Sequence, residues 1–248
     1  MNRIKLGPLA AEHLETGSLD DPKTEHPASA SLLNVAQRWT TGEHSLFVPM
    51  HYESGYAYPL IIWLHGDDSD CSELQKYMPE ISVRNYVGVA PQSGFAASSP
   101  ISWPNCEESI DAAYESVMTA VDEARMRFNI NDSRVYIAGV GTGGTMALQL
   151  AFERPDVFAG VISVDGPMDT QSLPLRDLER SRHLPVLLSA FRESETWSQD
   201  ELCHNLRLLY VGGFSTTVRQ YPGSLDLSHK VLSDIDRWIM EQFESAIS

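Results

Sequence analysis

Short apolar runs alternate with longer amphipathic stretches along most of this chain, from about Leu32 onward. Turn residues bound each apolar run, and runs of this length and composition are typical of β-strands. The runs predict seven strands, at Ser45–Val48, Pro59–His65, Tyr86–Pro91, Val135–Ala138, Val157–Val164, Pro185–Ser189 and Thr216–Tyr221.

The stretches between the runs place apolar residues three and four positions apart, which predicts amphipathic helices. The predicted helices are Ser72–Met78, Cys106–Phe128, Gly143–Phe152, Gln199–Tyr210 and Leu227–Phe243. Strands that alternate with helices predict an α/β fold, in which a doubly wound, mostly parallel sheet is flanked by helices. Ligands of such sheets bind in crevices beyond the carboxyl ends of the strands.

The first part of the chain lacks this pattern. Residues Leu9 to Ser31 are rich in Glu, Asp, Pro, Ser and Thr and hold few bulky apolar residues, a composition typical of mobile or loosely docked segments. We therefore expect an acidic extension over residues 1–38 and one α/β domain over residues 39–248. The chain has 248 residues, of which 42% are hydrophobic, and this is enough material for one core.

Charge and cysteine content narrow the classes of partner. The net charge of −16 repels nucleic acid phosphates and anionic membranes, so neither is an expected partner. No apolar run approaches the length of about 18 residues that a membrane span needs, and no signal peptide is recognisable. Cys71, Cys106 and Cys203 are odd in number and lack metal-binding spacing, which argues against disulfides and zinc and favours a cytoplasmic location.

The segment from Arg134 to Leu148 has the layout of a strand, a tight glycine turn and a helix. The motif G-x-S-x-G uses this layout to present a catalytic serine at the turn. The serine position holds Gly141 here, and glycine has no side chain with which to attack a carbonyl. The usual chemistry of this turn therefore cannot start from residue 141.

Further motifs occur around this turn in a fixed order, namely Pro59–Asp70, Ala90–Pro91, Trp103, Asn129–Gly139, Gly143–Leu148 and Arg154–Pro155. Together they resemble the α/β-hydrolases of the phospholipase/carboxylesterase type, which include small serine esterases and polyhydroxybutyrate-depolymerase-like enzymes. The similarity runs from about Trp39 to Ile239. It implies the α/β-hydrolase fold, with one oxyanion-hole amide in the loop after the strand Pro59–His65.

The resemblance also implies where a serine, an acid and a histidine would stand in active relatives. Those positions hold Gly141, Ser194 and Leu225, with Glu193 and Glu195 flanking Ser194. Substitution at all three predicts a catalytically degenerate homologue that acts as a ligand-binding or regulatory module, or that is retained for a protein partner.

An alternative is a working carboxylic-ester hydrolase whose nucleophile and base have moved. Thr142 is the candidate nucleophile, and His229 is the first candidate base, followed by His183 and His204. His65 is expected to support the oxyanion loop rather than to act as a base.

Part of the binding site is expected to survive the loss of the triad. The backbone amides of Thr142 and Asp67 would converge on a carbonyl or carboxylate oxygen, with Trp103 as one wall or as a core residue. The expected ligand is thus a small acyl or carboxylate compound, and a protein partner or a homo-oligomer stays open. Asp67, Asp68 and Asp70 are interpreted as a solvated loop, and no metal or cofactor is expected.

Overall fold

The structure is a computed structural model that describes residues 38–41, 44–93, 102–104, 106–168 and 178–245. The expected extension over residues 1–38 lies outside this range except for its last residue. Its separation from the domain therefore stays a prediction.

One eight-stranded sheet forms the centre of the described chain, in the order β1-β2-β4-β3-β5-β6-β7-β8. Pairing is antiparallel between β1 and β2 and between β2 and β4, and it is parallel from β4 to β8. The strands are β1 Arg38–Thr41, β2 His44–Phe47, β3 Tyr58–Leu64, β4 Val87–Pro91, β5 Ile130–Val140, β6 Gly160–Val164, β7 Val186–Phe191 and β8 Thr216–Tyr221.

Helices cover both faces of the sheet because alternate strand residues point to opposite sides. In β3, Leu60 and Ile62 join a core that includes residues of α2 and α3, whereas Ile61 and Trp63 join a core with residues of α1 and α6. The helices are α1 Glu73–Ile81, α2 Glu107–Arg127, α3 Thr142–Glu153, α4 Leu178–Ser181, α5 Gln199–Gly212 and α6 His229–Ser245. This is the predicted α/β class, and the prediction is confirmed.

The chain changes direction across the sheet at β3. β4 pairs with one edge of β3, and after α2 the chain pairs β5 with the other edge. The loops that follow β3 and β5 therefore meet at the carboxyl ends of the parallel strands, the usual place for a ligand crevice. The candidate site lies there.

All seven predicted strands and all five predicted helices are present, with shifted ends. β5 starts at Ile130, five residues before the predicted start at Val135. The prediction missed these residues because most of them are polar and none is buried, so they form no apolar run. α1 continues to Ile81 through Pro79. The short elements β1 and α4 were not predicted.

Within the described ranges we find no helix with the length and hydrophobicity that crossing a bilayer requires.

Candidate functional site

The turn between β5 and α3 has the sharp backbone geometry that the motif predicts. Gly141 has φ +54° and ψ −123°. Its N–H donates to the Val164 carbonyl of β6 at 2.9 Å, and its carbonyl accepts from the Thr145 N–H at 3.1 Å. A Cβ on Gly143 would come within 2.4 Å of the His65 carbonyl, so only glycine allows α3 to pack this closely on the loop after β3. The turn that follows β5 is therefore hydrogen-bonded to β6 and to the first turn of α3.

The loop after β3 brings the Asp67 carboxylate to this turn. The Thr142 hydroxyl donates to one Asp67 oxygen at 2.8 Å, and the Thr142 N–H points at the other from 3.5 Å. A Cβ built on Gly141 would lie 3.1 Å from that second oxygen. The sequence predicted that the backbone amide of Asp67 would serve an anion site here, but it is the side chain of Asp67 that lies against Thr142. The protein's own Asp67 carboxylate thus lies beside Gly141, at the edge of the space that a side chain there would enter.

His65 and Trp103 support the turn from below. Both side chains are buried, and the two rings lie 5.2 Å apart. His65 Nε2 accepts from the Ser93 N–H at 3.2 Å, which leaves the Nδ1 proton to donate to the Gly66 carbonyl at 2.9 Å. The predicted structural role of His65 is therefore confirmed.

Trp103 belongs to the core rather than to the wall of a pocket. Its indole N–H donates to the His65 carbonyl at 3.1 Å, and its backbone N–H donates to the Thr142 hydroxyl at 3.3 Å. Of the two positions expected for Trp103, a pocket wall or the core, its burial and these contacts fit the core. The Thr142 hydroxyl is engaged from both sides, by Trp103 and by Asp67.

A buried carboxylate that the sequence analysis missed lies beside the turn. Asp165 follows β6, is 1% exposed and has φ +55°, an unusual backbone conformation for a residue with a side chain. It accepts from the Ser194 hydroxyl at 2.9 Å, from the Thr196 hydroxyl at 3.1 Å and from the Trp197 indole N–H at 3.2 Å. The signal for it was a polar residue directly after a buried strand, at the edge where the other candidates lie. Ser194 therefore serves as a donor to Asp165.

A cavity of about 350 Å³ opens in front of the turn. Leu225, which is 40% exposed, lies on its wall beside Asp226. The residues that line it are Gly66, Asp67, Glu73, Tyr77, Val140, Gly141, Thr196, Leu225, Asp226 and Leu227. Gly141 and Leu225 thus line one cavity, as the resemblance implies. Ser194 is not among the described lining residues, but its hydroxyl is hydrogen-bonded to that of Thr196, which is.

The structure does not bring the displaced candidates together. His229 Nδ1 lies 3.0 Å from a Glu80 carboxylate oxygen, and the His229 side chain is 76% exposed. Thr142 is bound to Asp67 and Trp103 instead. His183 and His204 are also exposed. Among the described residues, no group of three or more His, Cys, Asp or Glu side chains is arranged to hold a metal ion.

Comparison with solved structures identifies the fold of this protein. The carboxylesterase of Mesorhizobium loti superposes with a TM-score of 0.67 at 17% identity, and the match covers 83% of this chain and 99% of that one. At this identity the likeness shows the fold, which is that of the α/β-hydrolases.

Sequence comparison points the same way. Residues 108–186, which hold α2, β5, the glycine turn, α3 and β6, match the model of the prolyl oligopeptidase family. NocK of Nocardia uniformis subsp. tsuyamanensis, whose name assigns it to the esterases, is 30% identical over 135 residues, covering 52% of this chain and 38% of NocK. Lysophospholipase-like protein 1 of Mus musculus is 30% identical over 145 residues, covering 55% of this chain and 58% of that protein.

The chain has the α/β-hydrolase fold, and about half of it is similar in sequence to esterase- and phospholipase-like members of that fold. Its matches span less than two thirds of the length of either curated relative.

Proposed function

We propose that this chain is a catalytically degenerate α/β-hydrolase that binds a small ligand in the cavity beside Gly141. The observation that carries the proposal is at the turn itself, where residue 141 has no side chain and an Asp67 carboxylate oxygen lies 3.1 Å from the position that its Cβ would take. In active relatives the serine that attacks the ester stands at this position. Here the nucleophile is absent, and a side chain at residue 141 would require a small shift of the Asp67 carboxylate.

The other two triad positions support the same proposal. Leu225 cannot accept a proton, so the position that holds the histidine in active relatives supplies no imidazole to activate a hydroxyl in this cavity. Ser194 stands at the acid position and donates to Asp165, so it offers no carboxylate to orient a histidine. In well-studied proteases, loss of any triad member leaves only about 10³- to 10⁴-fold acceleration over water. Substitution at all three positions predicts no useful ester turnover.

What remains is a cavity of the size that small-molecule sites have, at the usual place for a ligand in this fold. We propose a small acyl compound as the ligand and a regulatory or sequestering role in the cytoplasm. The free thiols of Cys71, Cys106 and Cys203 fit a reducing compartment. We further propose that the ligand regulates the association of this chain with a protein partner or with a second copy of itself.

One observation favours the alternative of a displaced nucleophile. The Thr142 hydroxyl donates to the Asp67 carboxylate at 2.8 Å, so the two form a hydroxyl–carboxylate pair. A carboxylate is a weaker base for a hydroxyl than an imidazole is, and no imidazole is within reach of Thr142 among its described contacts. We therefore rank this alternative second.

The test is hydrolysis of p-nitrophenyl butyrate, together with labelling by a fluorophosphonate probe. The purified chain should match a heat-denatured sample in rate and should take up no probe. Turnover that follows the protein through repurification and disappears in Thr142→Ala would establish the displaced nucleophile and overturn the proposal. Binding of butyramide, followed by the amide resonances of Gly141 and Thr142, tests the ligand site separately.

A further inference from the structure

We propose that Asp67 sets the charge selectivity of this cavity, so that its ligand presents an uncharged or positively charged group to Gly141 and not a carboxylate. This inference rests on the proposed function, because it names the class of ligand that the same cavity accepts. It also revises the expected ligand, which was an acyl or a carboxylate compound.

Asp67 already engages the hydrogen-bond donors of the turn. An anion at the start of α3 would need the Thr142 N–H, and it would be helped by the Thr142 hydroxyl. Both groups point at the Asp67 carboxylate, at 3.5 Å and 2.8 Å. A ligand carboxylate would have to displace Asp67 and then lie beside it, whereas an N–H or an ammonium group can donate to the same Asp67 oxygens.

The described wall of the cavity is negatively charged. Glu73 and Asp226 line the cavity together with Asp67, and no lysine, arginine or histidine is among the lining residues that the structure describes. Glu73 is fixed in place because it accepts from the Trp63 indole N–H at 3.1 Å and from the Gly66 N–H at 3.2 Å. Three carboxylates on one wall oppose a ligand anion and favour a cation.

The protein's own lysine shows that an ammonium group is stable next to this wall. The Lys76 ammonium lies 4.9 Å from the centre of the Tyr77 ring and donates to the Tyr77 hydroxyl at 3.2 Å. That hydrogen bond, together with the charges of Glu73 and Asp226, raises the pKa of Lys76. Tyr77 itself lines the cavity, so this ammonium group lies beside the cavity wall.

The experiment compares three ligands of nearly equal shape, namely butyrate, butyramide and butylammonium. Each is titrated at pH 7 into the ¹⁵N-labelled chain, with the Thr142 amide resonance as the reporter. The unsubstituted protein should bind butylammonium and butyramide more tightly than butyrate. In Asp67→Asn the affinity for butyrate should rise, and that for butylammonium should fall, each by roughly five- to tenfold, the scale of one unit charge near contact in a partly solvated site.

Asp68→Asn is the matched control, because it removes the same charge one residue away. Asp68 has φ +55°, a conformation that asparagine adopts readily, and it does not line the cavity. It should leave the order of the three ligands unchanged. If Asp67→Asn and Asp68→Asn shift the affinities equally, or if butyrate binds best before any substitution, the role of Asp67 is refuted while the ligand site stands. If none of the three ligands moves the Thr142 resonance in any variant, the ligand site itself is refuted.

Discussion

At the scale of single residues, the position of the Asp67 carboxylate depends on the lack of a side chain at Gly141. A serine at residue 141 would bring its Cβ within 3.1 Å of an Asp67 oxygen, so the carboxylate would have to move aside. Ser194 and Asp165 form a second pair. An aspartate at residue 194 would put two carboxylates against each other in place of the present 2.9 Å hydrogen bond. If the proposed function holds, a serine at residue 141 or an aspartate at residue 194 would therefore each conflict with the carboxylate beside it, and neither substitution alone is expected to produce activity.

The turn can be tested by adding one methyl group. Gly141→Ala should lower the free energy of unfolding by about 1–3 kcal/mol, because residue 141 has φ +54° and its new Cβ would meet Asp67. Gly223→Ala is the control for backbone strain alone, since Gly223 has φ +77° and open space around its Cβ position. It should cost less, about 1–2 kcal/mol.

Urea unfolding of both variants, and of Gly141→Ala combined with Asp67→Gly, measures the two contributions. Removal of the Asp67 side chain should recover the difference between the two alanine variants. Equal losses at Gly141 and Gly223, with no recovery, would mean that Asp67 does not press on residue 141.

At the scale of elements, the sequence was sufficient for the sheet but not for the contents of the site. A buried strand such as β3 is a continuous apolar run, so its position follows from residue type. β1 was missed because its four residues, Arg-Trp-Thr-Thr, give no such run. The positions of Gly141 and Leu225 on one cavity follow from the turn motif and from the chain order of the resemblance.

The directions in which the side chains of the site point could not be predicted from the sequence. Asp67 was expected to offer its amide, and nothing in the spacing of residues tells which of the two groups turns toward α3. Asp165 was missed for a related reason, since its three donors come from a loop after a different strand, 29 or more residues away in sequence. Such contacts depend on the tertiary structure and leave no local pattern.

The junction of β8 and α6 provides a pH-dependent test at this scale. The Tyr221 hydroxyl donates to Asp234 of α6 at 3.0 Å, and burial together with this hydrogen bond raises the pKa of Tyr221 to about 12. The unfolded chain ionises its tyrosines near pH 10. The contribution of Tyr221 to stability is therefore complete below about pH 10 and is lost as the pH rises through about 12.

Tyr221→Phe should then have two effects. At pH 7 it should cost about 1–3 kcal/mol, because the Asp234 carboxylate is buried and loses a donor. Between pH 10 and 12 its free energy of unfolding should fall less steeply than that of the unsubstituted chain. Tyr210→Phe is the control, because the Tyr210 side chain is 84% exposed. Denaturant unfolding at pH 7, 10, 11 and 12 gives both quantities, and parallel pH curves for all three proteins would contradict the assignment.

At the scale of the whole molecule, the excess of negative charge lies in the domain. Residues 1–38 hold five acidic and four basic residues, so the expectation of an acidic extension was wrong and this segment is nearly neutral. Nearly all of the net charge of −16 therefore falls on residues 39–248. A compact domain with this charge repels itself, and unfolding relieves the repulsion by moving the charges apart.

Salt should for this reason stabilise the domain. Ions screen long-range repulsion between exposed charges, and they also weaken surface ion pairs such as Arg125 with Asp132. Each exposed pair is worth about 1 kcal/mol or less, so the many unbalanced carboxylates dominate the response. Between low salt and roughly 0.5 M NaCl, where the Debye length has fallen well below about 10 Å, the melting temperature should rise by a few degrees, as a gain of about 1 kcal/mol would produce in a domain of this size.

The choice of cation separates screening from specific binding. Scanning calorimetry in NaCl, KCl and tetramethylammonium chloride at equal ionic strength should give the same rise, since screening depends only on ionic strength. A rise confined to one cation would instead indicate a binding site for that ion among the carboxylates. A melting temperature that falls with salt in all three would show that paired charges outweigh the excess, and that the acidity of the domain carries no net cost in stability.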